Sequence, residues 1–418
     1  MQRLLIANRG EIARRIMRTA RAMGIQTVAV YSDADAGALH VQDADTACAL
    51  GGNSSADSYL RIDKLIAAAR ASGADAVHPG YGFLSENAAF AEAVLAAGLV
   101  WVGPPPAAIR QLGSKSAAKQ LAQAQGVPCL PGYQGADQSD ARFQAEAEQI
   151  GYPLMVKAAA GGGGRGMRLV QAAGQLPAAL QGARSEAASA FGHAELLIER
   201  ALLKPRHVEV QVFADAHGHC IHLGERDCSV QRRHQKLIEE TPSPAVDAAL
   251  RERMGHCAVA LAQAAGYVGA GTVEFLLEGS PHPHPLPEGE GATLFFLMEM
   301  NTRLQVEHAV TEAVTGLDLV EWQLRVAQGE ALPLTQQQVV FSGHAIEVRL
   351  CAEDEHFTPH AGAVQRFREP LPLPLGEGWG EGLRFDHALF EGLQVPPYYD
   401  SMLGKLVVHA ATREQAIA

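Results

Sequence analysis

Glu299, Asn301, Arg303, Gln305 and Glu307 occupy alternate positions between Met298 and His308. In extended backbone successive side chains alternate faces, so these five point the same way. Met300, Leu304 and Val306 point to the other side, with Thr302 the one misfit. Two carboxylates, two amides and a guanidinium aimed at one spot can hold a divalent cation next to a small anion. The plain alternative is a half-exposed strand, and alternation alone does not separate the two.

A second carboxylate source lies close by in sequence. Residues 272–277 and 297–301 read as strands flanking a Pro/Gly/Glu-rich stretch. Paired as an antiparallel hairpin, they set Glu274 beside Glu299. Two carboxylates brought together this way repel unless a cation lies between them. Mg²⁺ suits the pair, because it takes a few carboxylates together with substrate phosphate oxygens. Asn301 is a supplementary ligand. A structural salt bridge with Arg303 is the competing reading.

Residues 152–170 read as a strand, a glycine loop and a second strand. Glycines 161–164 and 166 leave backbone amides free to surround phosphate. Gly161, Gly163 and Gly166 match G-x-G-x-x-G formally, but that fingerprint needs a helix after the glycines, whereas MRLV reads as a strand. A hairpin flap over a nucleotide fits better, with Lys157 at the end of its first strand in reach of phosphate. Neither Lys115 nor Lys405 completes a Walker A motif, which excludes a P-loop fold. Residues 224–240 carry Arg226, Arg232, Arg233, His234 and Lys236 against Glu225, Asp227, Glu239 and Glu240. This is either a solvated loop or the cation supply of a phosphoryl-transfer site. His207 and Glu209 alternate on another predicted strand and can join it.

The elements that must position these groups follow from patterning. Short apolar strands at 3–8, 27–31, 76–78 and 99–102 alternate with helices at 11–23, 62–71 and 90–97, which implies a parallel doubly wound sheet. Ligands bind at the carboxyl ends of such strands, so residues 8–11 and 78–83, including Glu11 and Tyr81, are site candidates. Residues 107–125 read as one helix, and strands are expected at 196–199, 207–214, 219–224, 266–277 and 293–301. A helix spans 318–328, and from Gly343 the pattern is β-rich to the first turns of a helix at 412–418. Residues 280–292 and 370–383 share a P-L-P…G-E-G pattern that cannot pack a core and is expected to be mobile. His282 and His284 belong to the first of these and are not read as a metal site.

A chain of 418 residues is too long for one compact core. With 47% apolar and 19% charged residues its composition is that of an ordinary globular protein, and a net charge of −12 argues against broad attraction to nucleic acid or anionic membrane. Its six cysteines form no C-x-x-C pair, which fits a reducing cytosol better than a zinc module or disulfide framework. There is no signal-peptide pattern and no membrane-length apolar run.

The whole chain resembles the biotin carboxylase component of biotin-dependent acyl-CoA carboxylases, an ATP-grasp enzyme. The resemblance rests on IANRGEIA (6–13), HPGYGFLSEN (78–87), GGGGRGM (161–167), RHVE (206–209), ERDCSVQRRHQK (225–236), GAGTVEF (269–275), EMNTRLQVEH (299–308) and PPYYDSM (396–402). The wording around these motifs is most similar to methylcrotonyl-CoA or geranyl-CoA carboxylase subunits. It implies an α/β fold with an N-terminal doubly wound domain over 1–112 and an ATP-grasp domain over 113–330, its mobile lid at about 130–203. A β-rich C-terminal domain over 331–418 follows, with the family's closing segment expected beyond Ala418.

By the same resemblance, ATP is bound by Lys115, Lys157, Gly161, Gly162, Gly163, Gly164, Met167, Glu199, Leu202, His207, Gln231, His234 and Leu276. Magnesium or manganese is held by Glu274, Glu299 and Asn301. Bicarbonate sits on Lys236, Arg303, Gln305 and Val306, with Glu307 as its general base. Bicarbonate attacks the γ-phosphate to give carboxyphosphate, which yields CO₂ and phosphate. Arg349 stabilises the biotin enolate and Tyr81 lies near the biotin ring. No A-M-K-M biotin attachment motif is present, and Ala309 stands where the family usually has proline. Biotin is therefore expected on a separate carrier domain, with a carboxyltransferase subunit, a homodimeric state and a cytoplasmic location also implied. Two other readings are a catalytically impaired nucleotide-binding assembly subunit and a different ATP-grasp ligase, such as a carbamoyl-phosphate or purine-pathway enzyme. The RRHQK and TRLQVEH segments argue against the last.

Overall fold

The computed structural model describes residues 1–159, 167–191, 194–232, 235–279, 293–369 and 382–418. Gly161–Gly164, Gly166 and His234, and most of the two Pro/Gly/Glu segments with His282 and His284, lie outside the described residues.

Leu4, Leu5 and Ile6 are fully buried in the strand Arg3–Ile6, a continuous apolar run suited to a parallel sheet covered on both faces. That strand is the centre of a five-stranded parallel sheet ordered Thr46–Ala49, Gln26–Tyr31, Arg3–Ile6, Ala76–His78, Val100–Trp101. The chain leaves Arg3–Ile6 toward one edge and returns at Ala76–His78 on its other side. The loops after these two strands therefore meet at a topological switch point. Asn8 Nδ2 closes the crevice by donating to the carbonyls of Pro79 (2.8 Å) and Tyr81 (2.7 Å). Gly80 has φ +65°, and a Cβ there meets Asn8 Nδ2 at 2.8 Å, so no side chain fits this approach.

Most of the remaining strands form one eight-stranded antiparallel sheet. Its order is Leu294–Asn301, Gly269–Glu278, Arg206–Ala214, Cys220–Arg232, Gln235–Thr241, His344–Cys351, Met402–Ala410, Gly382–His387. Strands from the central region and from the β-rich C-terminal region are thus hydrogen-bonded side by side. A smaller sheet stands apart, with Leu154–Ala158 pairing antiparallel to both Arg168–Val170 and Leu196–Arg200. The hairpin reading of the glycine-loop flanks is what the backbone adopts, with Arg168–Val170 of MRLV as the second strand.

Several expectations need correction. The predicted helix over 107–125 is two helices, Pro106–Gly113 and Lys115–Ala124. The break comes at Ser114, whose hydroxyl caps the second helix by accepting from Ala117 N. The charged segment 224–240 is not a loop: the strand Cys220–Arg232 continues through it and returns as Gln235–Thr241. The alternating run 299–307 is not one strand. Strand geometry ends at Asn301, residues 302–306 turn, and Glu307 is the N-terminal flanking residue of the helix His308–Thr315. The helices Asp140–Ile150, Leu176–Phe191, Ala248–Ala264 and His308–Thr315 have no counterpart among the elements expected from patterning.

Candidate active site

The two sheets, the N-terminal crevice and the small sheet enclose one cleft of about 1280 Å³. Its wall includes Tyr81, Lys115, Lys157, Met167, Glu199, Leu202, His207, Gln231, Lys236, Glu274, Leu276, Glu299, Asn301, Arg303, Gln305, Val306 and Arg349. Residues from all regions of the chain therefore face a single space.

At its centre is Lys236, whose ammonium contacts three carboxylates: Glu209 at 2.5 Å, Glu307 at 2.7 Å and Glu274 at 2.9 Å. Each comes from a different element, so strand pairing and the turn before His308 must both be in place. Burial opposes the charge on Lys236, but the three carboxylates outweigh it and hold its pKa well above the ordinary value. Glu307 is fully buried and its second oxygen lies 3.0 Å from Arg349. Burial raises its pKa, yet Lys236, Arg349 and Arg226 together hold the carboxyl well below the usual carboxylate range. Glu307 is thus a buried carboxylate that is ionised at neutral pH.

Behind Lys236, Arg226 is wholly buried and fully partnered. It donates to Glu209 at 2.6 Å, Gln211 at 2.8 Å, Thr311 at 2.9 Å and Thr272 at 3.1 Å. A planar guanidinium with several donors suits this fixed geometry. Arg303 also stays in the cleft despite the loss of strand geometry. It donates to Gln305 at 2.8 Å and to Asn301 at 3.3 Å, and pairs with Glu86 at 2.9 Å. Val306 contributes through its backbone, since its carbonyl accepts from the buried Lys405.

Glu274 and Glu299 are directly opposite in the hairpin register. Asn301 Nδ2 donates to Glu274 at 2.8 Å, and Lys115 lies 3.7 Å from Glu299. Burial and the neighbouring Glu274 raise the pKa of Glu299, the signature of carboxylates held close. Two carboxylates and an amide oxygen in this arrangement fit a hard divalent cation. His207 approaches Glu274 at 3.0 Å and receives the Gln231 amide at 2.7 Å. On the far side of the cleft, Glu199 holds Lys157 and, at 3.4 Å, Lys119. Tyr81 donates to Glu11.

Sequence reasoning missed Glu86, Lys119 and the part played by Lys405. Glu86 is 217 positions from Arg303 and no periodicity links them. Only its place after the 78–83 turn, at a strand's carboxyl end, could have marked it. Lys405 pairs in register with Arg349 on the neighbouring strand, a relationship that needs the sheet order.

Comparison with known proteins agrees with this geometry. Three family profiles match end to end: "Biotin carboxylase, N-terminal domain" over residues 1–109, "Carbamoyl-phosphate synthase L chain, ATP binding domain" over 114–335, and "Biotin carboxylase C-terminal domain" over 347–418. The chain is 52% identical to a biotin carboxylase of Nostoc sp., covering 99% of this chain and 89% of that one. It is 49% identical to the methylcrotonoyl-CoA carboxylase subunit alpha of Dictyostelium discoideum, covering 99% of this chain but 57% of the relative, so it spans little more than half of that protein. Among solved structures, the biotin carboxylase–β-γ-ATP complex from Campylobacter jejuni superposes with TM-score 0.91 at 45% identity, covering 100% of this chain and 89% of that one. A biotin carboxylase domain dimer of the 2-oxoglutarate carboxylase from Hydrogenobacter thermophilus, with MgADP, ADP and bicarbonate, gives TM-score 0.89 at 41% identity, covering 100% and 88%. No described helix is long and apolar enough to cross a membrane.

Proposed function

The chain belongs to the biotin carboxylase family of ATP-dependent ligases with the ATP-grasp fold, and from that premise we infer how its own residues carry the reaction. Lys236, Arg303, Gln305 and the Val306 backbone hold bicarbonate, and Glu307 takes its proton. The bicarbonate oxygen attacks the γ-phosphorus of ATP, the bond to the β-phosphate oxygen breaks, and ADP leaves. The resulting carboxyphosphate separates into CO₂ and phosphate. That phosphate takes the proton from the biotin ureido nitrogen, and the nitrogen attacks CO₂ to give carboxybiotin. Arg349 remains charged while it stabilises the developing enolate oxygen, with Tyr81 beside the ring.

Lys115, Lys157, the glycine flap, Met167, Glu199, Leu202, His207, Gln231, His234 and Leu276 bind ATP. Glu274, Glu299 and Asn301 would hold magnesium, which would neutralise phosphate charge there. The observation that carries this reading is the buried Glu307 carboxylate, clamped between Lys236 and Arg349, both of which line the cleft. It is supported by the full-length family match. Biotin is presented by a carrier domain, and a carboxyltransferase subunit passes the carboxyl group to an acyl-CoA; methylcrotonyl-CoA follows from the names of relatives such as the D. discoideum subunit. A homodimer is supported by the H. thermophilus dimer, and a cytoplasmic location by cysteine usage. The test is bicarbonate-dependent ATP hydrolysis stimulated by free biotin. Its absence in folded, nucleotide-binding protein overturns the assignment and favours an assembly role.

A further inference from the structure

Behind Arg349 lies a second group of acids that the reaction above does not use. Glu239 and Glu347 are directly opposite each other on the paired strands Gln235–Thr241 and His344–Cys351. Both are fully buried. Directly opposed residues in an antiparallel pair have Cβ atoms about 4.5–5.5 Å apart, so their carboxyls can reach one another. Glu239 spends one oxygen on Arg349, at 2.6 Å. Its other oxygen and both oxygens of Glu347 have no hydrogen-bond partner among the described residues. Three orphaned carboxyl oxygens at one buried spot are costly as two anions. A single proton between them removes one charge and supplies a donor.

We propose that Glu239 and Glu347 share one proton, and that this pair is a positioning device setting how firmly Arg349 is held beside Glu307. The proposal rests on the reading of Glu307 and Arg349 as reaction-centre residues. With one proton present, the pair carries a single negative charge, and Arg349 bridges it and Glu307, at 2.6 and 3.0 Å. Loss of the proton leaves two charges behind Arg349 and draws the guanidinium toward the sheet. The charged and titratable groups facing the pair are Arg349 on the same strand, Lys236 on the strand of Glu239, and Lys405 on the other neighbouring strand. Glu307 faces it from the turn packed above, and the Cys228 thiol faces Glu239 from the strand Cys220–Arg232. Lys405 opposes protonation of Glu347, but burial outweighs it and raises that carboxyl well above the usual range. Burial, partly offset by Arg349, pushes Glu239 up to about 7.

The test combines infrared spectroscopy with a pH–rate profile of biotin carboxylation. Wild-type protein at neutral pH shows a protonated-carboxyl stretch that disappears in Glu347→Gln. The same variant keeps neutral-pH kcat within about threefold, and its alkaline loss of activity vanishes or moves up by about one pH unit or more. A purely structural Glu347 lowers activity at all pH values alike. No such band in the wild type, or an unchanged pH profile in the folded variant, overturns the proposal. Should Glu347→Gln fail to fold, Glu347→Asp must shift the band, and an unmoved band is equally fatal. If Glu307→Gln proves fully active while the band behaves as expected, the base assignment fails and the shared proton stands.

Discussion

Lys236 Nζ lies 2.7 Å from Glu307 Oε1, although the two are 71 positions apart and on different elements. Glu307→Gln keeps the shape of the side chain and removes its capacity to take a proton. Biotin-dependent carboxylation should fall by about 10²–10⁴-fold with ATP binding retained, as expected for loss of a general base. Initial rates and nucleotide titration check this. A variant with wild-type kcat means another group takes the bicarbonate proton.

Glu274 and Glu299 face each other in register, and the metal role predicted for them differs from a salt-bridge role in one measurable way. Glu299→Gln should raise the magnesium concentration needed for half-maximal ATP hydrolysis by about tenfold or more, while saturating metal restores part of the rate. If the magnesium requirement is unchanged, the acids serve only to balance Arg303, Lys236 and Lys115.

Arg226 is a wholly buried cation whose removal takes the donor from Glu209 Oε1 and leaves Glu209 only Lys236, which Glu274 and Glu307 share. Arg226→Met should destabilise the protein by about 3–5 kcal/mol, because a buried carboxylate loses one of its two cationic partners. Arg226→Met with Glu209→Gln should recover much of that loss. The midpoints of urea unfolding, compared as a double-mutant cycle, measure the coupling.

His78 is neutral for a structural reason. Its Nδ1 accepts from Gly80 N–H at 2.9 Å, leaving Nε2 to donate to Gln323 Oε1 at 3.2 Å. Burial holds its pKa down at about 4, from 6.5 in the open chain. A depressed folded-state pKa gives stability that is present above pH 6.5 and is lost as pH falls toward 4. The loss from this one site is about 3 kcal/mol, since each tenfold difference in proton affinity between the folded and open chains is worth about 1.4 kcal/mol. Stability measured from pH 7 to 4.5 should decline less steeply in His78→Gln than in the wild type. Parallel slopes in the two proteins would show that His78 does not contribute.

Residue type and spacing alone determined a good deal. The parallel sheet of the first hundred residues was legible, because apolar runs such as 4–6 have no other stable home. Glu274 beside Glu299 was legible too, because a hairpin leaves few registers. The acids, amides and guanidinium of 299–307 were identified correctly as a converging set, but for the wrong geometric reason. Strand alternation predicts convergence on a flat face, whereas a turn at 302–306 leaves Arg303 and Gln305 on the cleft wall and Glu307 buried against Lys236 and Arg349. Segment 224–240 reads either as a solvated loop or as a supply of cations, and its sequence does not choose. Arg226 and Glu239 are buried because each meets its counter-ion across the sheet. Local sequence determines which groups are available and how each short element forms. The order of strands in the eight-stranded sheet decides which distant charges meet: Lys236, Arg349 and Arg226 hold the buried Glu307 well below the usual carboxylate range, whereas burial raises Glu239 and Glu347.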